Sequence, residues 1–83
     1  MSIHDEIIRM IEAQTWVSVP IGDTTNLYAD LGFNSLSFVD FLLEIEEAYA
    51  ITFEIEEMEM CLQVGRLIAL VENKVGRRGG HHD

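Results

Sequence analysis

Eighty-three residues allow one domain, in which about 60% of the unfolded chain's surface is buried on folding and no volume is left for a deep catalytic cleft. Fifteen acids against five bases give a formal net charge of -10, a surface that repels phosphate backbones and anionic lipids and so makes nucleic acid and membrane poor partners. No apolar run reaches the ~20 residues of a membrane span, the single Cys61 cannot form an internal disulfide, and the acidic opening "MSIHDEIIRM" is unlike an export signal, so a cytoplasmic protein is expected.

In chain order, Ser2 followed by Asp5 resembles a helix start, and Ile3, Ile7, Ile8 and Ile11 repeat at helical spacing, which predicts a first helix over residues 2–15. A long connection follows, "TWVSVPIGDTTNLYADLGFN", with Pro20, Gly22 and Gly32 and no clear period. A connection of this length in a small domain implies function or tight anchoring. Trp16, Val17, Ile21, Leu27, Tyr28, Leu31 and Phe33 are its candidate anchors. The second helix is predicted over residues 35–50. Ile51 and Phe53 then read as core plugs, with a short helical turn around Glu56–Met60. Val64, Leu67, Ile68, Val71 and Val75 predict a last helix over residues 63–75, weakened at Gly65 and stopped at Gly76. Met58 and Met60 read as gap fillers at the core edge, and Cys61 as a small buried hydrophobe. Residues 1–76 are expected to form the domain, and "RRGGHHD", residues 77–83, a disordered tail. The expected fold is all-α: a small bundle of three main helices, one short helix and a long first loop.

On a wheel, the second helix carries two apolar lines. Phe38, Phe41, Leu42, Ile45 and Tyr49 form an ordinary core stripe. Leu36, Val39 and Leu43 form a second line at i, i+3 and i+7, bordered by Asp40, Glu44 and Glu47 on one side and by Ser35 and Glu46 on the other. Two readings stand: a docking strip for another protein, or a strip that the long loop covers. The acids support the first. No lysine or arginine occurs between residues 10 and 65, and Glu54, Glu56, Glu57 and Glu59 continue the acidic run beyond the helix. Such a field steers partners with basic patches, although acidity also serves plain solubility.

Ser35 stands at the start of that helix. Asn34 or Ser35 can cap it, and a helix start also favours a bound or covalently attached phosphate through its free N–H groups and dipole. The stretch "ADLGFNSLSFVDFLLEIEEAYAITFEIEE" resembles the acyl carrier and peptidyl carrier protein family around its modified serine: an aspartate-leucine-glycine lead-in, Ser-Leu at the helix start, then an apolar and Glu-rich helix. Length, acidity, long loop and final helix agree over residues 2–75. The resemblance implies an acyl-carrier-like bundle in which Ser35, flanked by Asn34 and Leu36, accepts the 4'-phosphopantetheine of coenzyme A from a phosphopantetheinyl transferase with magnesium. It implies a carrier of acyl or aminoacyl thioesters for fatty-acid, polyketide, nonribosomal-peptide or lipid biosynthesis, and a stand-alone monomer is expected. Leu36, Val39 and Leu43 match positions that meet partners in the family, and Asp40, Glu44, Glu47, Glu56 and Glu57 would flank them. Asn34 departs from the family's usual aspartate, keeping shape and capping capacity while removing a carboxylate near the transferase's metal. Gln63 replaces a frequent capping threonine.

Other chemistry fails. His4, His81 and His82 lie near the chain ends, so no base is offered to a serine nucleophile, and no enzyme is expected. "DTTNLYAD" lacks the calcium-loop pattern, and His81, His82 and Asp83 offer no fixed metal geometry. The alternative to a carrier is an acidic helical adaptor without a prosthetic group.

Overall fold

The computed structural model describes residues 2–15 and 19–79. It contains four helices in the expected all-α arrangement: α1 (Ile3–Gln14), α2 (Ser35–Tyr49), α3 (Ile55–Glu59) and α4 (Val64–Gly79). In α1, the Ser2 hydroxyl accepts the Asp5 N–H at 3.1 Å, and Asp5 and Glu6 place negative charge at the positive end of the helix dipole. Ile7 and Ile11 are fully buried, with Ile3, Ile8 and Met10 packed around them.

The core stripe of α2 is the centre of the bundle. Phe41, Leu42 and Ile45 have no exposed surface and Phe38 very little, while Tyr49 is half-buried. Burying each of these side chains contributes about 1.5–3 kcal/mol. Phe33 meets the Phe41 ring edge-on at 5.7 Å. Ile51 and Phe53 are buried, as expected. The helix ends because Ala50 turns into the left-handed region, φ 55° and ψ 48°, a conformation usually left to glycine.

Tight anchoring explains the first connection. Leu27, Leu31 and Phe33 are buried in the core and Ile21 half-buried, whereas Trp16 and Val17 lie outside the described residues. Asn26 Oδ1 accepts the N–H groups of Tyr28 and Ala29, each at 2.8 Å, and Asp30 Oδ2 accepts that of Asn26 at 2.8 Å, so these side chains organise backbone. The segment is also tied to the approach to α4. Leu27 donates to the Leu62 carbonyl at 2.8 Å, and the carbonyls of Thr25 and Asp23 accept from Val64 and Gly65. Two of the free N–H groups at the start of α4 are thereby satisfied without a side-chain cap, which removes the need for a threonine at Gln63.

Three expectations change. Gly65 permits a close approach: a Cβ there would sit 2.8 Å from the Cβ and 2.9 Å from the carbonyl oxygen of Asp23. Gly76 does not stop the last helix, which continues to Gly79. Glycine costs only about 1 kcal/mol in a helix interior, and Gly76 does not adopt the positive φ that would turn the chain away. Of the segment read as a disordered tail, residues 77–79 are therefore helical and residues 80–83, with His81, His82 and Asp83, lie outside the described residues. Met58 packs at the core edge as expected, but Met60 is 59% exposed because α3 ends there and turns it outward.

Candidate functional site

The first turn of α2 resolves which residue caps it. Asn34 is extended, φ -111° and ψ 178°, and its Oδ1 accepts the Ser37 N–H at 2.9 Å. Ser37 returns the contact: its Oγ accepts the Asn34 N–H at 2.9 Å and donates to the Asn34 carbonyl at 3.2 Å. This reciprocal box satisfies two backbone donors. Ser35 is thus the first helical residue rather than the cap. It is exposed, and its hydroxyl makes no hydrogen bond to another described residue. Gly32, at φ 77°, supplies the left-handed turn by which the chain reaches this position.

The second apolar line is open. Leu36 is 72% exposed, Val39 40% and Leu43 49%. The described part of the first loop leaves it exposed, against the burial reading. Asp40, Glu44 and Glu47 are exposed beside it, with Glu44 accepting a 3.1 Å hydrogen bond from Gln14 Nε2, and Glu56 is exposed on α3. Glu46 and Glu57 face inward by comparison. Glu46 Oε2 accepts the Phe53 N–H at 2.7 Å. Glu57 Oε1 lies 2.9 Å from Lys74 Nζ and accepts the Glu54 N–H at 2.8 Å, while the Lys74 ammonium sits 5.9 Å from the centre of the Phe53 ring. α3 buries none of its residues, so these contacts fasten it to α4.

One feature escapes sequence periodicity. Tyr28, Phe38, Met58, Glu59 and Leu62 line an open apolar groove of about 290 Å³, with the Tyr28 and Phe38 rings 5.4 Å apart. Its walls come from the loop, α2, α3 and the α3–α4 link, and no single element's pattern announces it. Ile55, 72% exposed, adds apolar surface at the start of α3. Phe38 stands three residues after Ser35, so the groove opens beside the first turn of α2.

Two side chains of the bundle are shifted from their ordinary pKa values. Burial pushes the Cys61 thiol up to about 11, helped by the charge of Glu57 and opposed by that of Lys74. That thiol is inert at neutral pH, in keeping with a structural role. Partial burial and then the hydrogen bond to Glu6 raise the Tyr49 phenol to about 12, where it joins α1 to α2.

A family model described as the phosphopantetheine attachment site matches residues 5–71, most of the chain. The chain belongs to the phosphopantetheine attachment-site family. The acyl carrier protein of Nitratidesulfovibrio vulgaris (strain DSM 19637 / Miyazaki F) is 28% identical over 75 residues, covering 89% of this chain and 99% of that protein. The protein is therefore a carrier whose covalent prosthetic group is 4'-phosphopantetheine. The adaptor without a prosthetic group is set aside. The first turn of α2 fits the group, for it offers an exposed, uncommitted hydroxyl at the N-terminal end of a 15-residue helix. No described helix is long and apolar enough to cross a membrane.

Proposed function

We propose that Ser35 carries the arm and that the protein tethers acyl or aminoacyl intermediates, presenting them to biosynthetic enzymes. The observation that supports this most is the division of labour at the helix start: Asn34 and Ser37 do the capping, and the Ser35 hydroxyl is left free and exposed. In the loading step, Ser35 Oγ forms a bond to the pantetheine-side phosphorus of coenzyme A. The bridging P–O bond of the diphosphate breaks and adenosine 3',5'-bisphosphate leaves. The hydroxyl proton passes to a base on the phosphopantetheinyl transferase. Once attached, the arm supplies a terminal thiol that holds cargo as a thioester.

The chain's own residues then present that thiol. Leu36, Val39 and Leu43 form the apolar contact for a partner, while Asp40, Glu44, Glu47 and Glu56 steer its basic patch. Glu57 contributes chiefly by holding α3 in place through Lys74. Tethering raises the effective concentration of cargo at each partner. Apolar cargo can rest in the groove beside Phe38.

Incubation with coenzyme A, magnesium and a broad-specificity transferase, followed by intact-mass measurement, tests the assignment. One added phosphopantetheine on the wild type and none on Ser35→Ala is the expected result. An equal gain on both chains would move the arm to another residue.

A further inference from the structure

We propose that Ser37 is a positioning residue for the modification of Ser35, an inference that rests on the carrier reading above. The Ser37 side chain touches neither the Ser35 hydroxyl nor any reacting atom in the described contacts. It acts through Asn34. Its Oγ accepts the Asn34 N–H at 2.9 Å and donates back to the Asn34 carbonyl at 3.2 Å, while its own N–H is held by Asn34 Oδ1 at 2.9 Å. Three contacts thus close a ring across the residues on both sides of Ser35. The ring fixes the backbone that carries the Ser35 Cα, and it occupies the acceptor of Asn34.

Two consequences follow for the hydroxyl. With Asn34 and Ser37 satisfying each other, the vacant cap position no longer draws the Ser35 oxygen, which would otherwise be the nearest substitute acceptor for the exposed N–H groups of the first turn. The first turn is also held at helical geometry, where helices commonly fray, so the nucleophile is presented in one orientation. Orientation of a nucleophile acts on the reacting geometry and so appears in kcat. Loss of a partner contact would appear in KM. The arrangement also gives Asn34 a task that needs no charge. Its carbonyl oxygen, which an aspartate would supply equally, is the part in use.

The test is transferase kinetics on the full chain, with coenzyme A as donor and Ser37→Ala, Ser37→Thr and Ser2→Ala as variants. Ser2→Ala removes a comparable cap from α1, far from the site, and controls for lost helix stability. Ser37→Ala is expected to lower kcat about tenfold, an activation difference of about 1.4 kcal/mol, with KM changed less than about twofold. Its circular dichroism at the assay temperature should match the wild type. Ser37→Thr, which keeps the hydroxyl, should restore kcat to within about threefold, and Ser2→Ala should leave it unchanged. A wild-type chain that gains an arm alongside a Ser37→Ala chain modified at the same kcat overturns the positioning role alone. The same holds if Ser2→Ala slows the reaction as much as Ser37→Ala. A wild-type chain that takes no arm overturns the carrier reading and this inference together.

Discussion

The two faces of α2 share one backbone and nearly the same residue types, yet they meet different fates. Phe38, Phe41, Leu42 and Ile45 are buried, whereas Leu36, Val39 and Leu43 are open to solvent. Hydrophobicity alone does not decide between them. What decides is where the first connection goes. Its described part places Leu27, Leu31 and Phe33 in the core and ties its backbone to Leu62, Val64 and Gly65, while the second line stays exposed. One face holds the protein together. The other is open to solvent, and Ser35 stands at its end.

Substitution on the buried face should show the largest effect. Phe41→Ala is expected to cost about 3–5 kcal/mol in urea unfolding, because a fully buried ring leaves a cavity. Next comes the anchor that keeps the loop away from the open face. Gly65→Ala drives a methyl into the Asp23 backbone and should cost about 1–3 kcal/mol despite alanine's better helix propensity. If Gly65→Ala is neutral, the loop is held elsewhere. Substitutions on the open face should be smaller still in stability and visible in function. Leu36→Ala or Val39→Ala should shift unfolding by no more than about 0.5 kcal/mol and slow transfer to or from a partner enzyme about fivefold to tenfold. An unfolded Leu36→Ala chain would make the second line part of the core.

A pH titration sharpens the same contrast. The Cys61 thiol is raised from its ordinary 9.0 to about 11, so the folded state holds that proton more tightly than the unfolded chain does. Stability from this group is complete below about pH 9 and is lost as the pH rises through about 11. Denaturant midpoints measured across that window should fall for the wild type and fall less steeply for Cys61→Ala. Parallel slopes would mean that the thiol titrates as it does in water.

Much of this was legible in the sequence because the relevant signals are local. The Ser2 start, the two lines on α2 and the plugs Ile51 and Phe53 all depend on spacing within one element. The errors lie where distant segments or a helix end decide. Gly65 reads as a helix weakener until Asp23 is seen against it. Gly76 reads as a stop, although a glycine ends a helix only where the backbone turns to positive φ, and α4 runs on to Gly79. Ala50 makes that turn without being glycine, so composition gave no warning. Met60 faces solvent because α3 is only five residues long. The groove between Tyr28, Phe38, Met58 and Leu62 required tertiary structure. At the site itself, sequence left the cap between Asn34 and Ser35, and the hydrogen bonds of Ser37 decided it.

The most direct measurement is the intact mass of the protein purified from its own cells, followed by fragmentation to locate any added group. The account predicts one phosphopantetheine, with or without a thioester-bound load, on the peptide containing Ser35. An arm on Ser2, Ser18 or Ser37, or a chain that carries no arm at all, would contradict it.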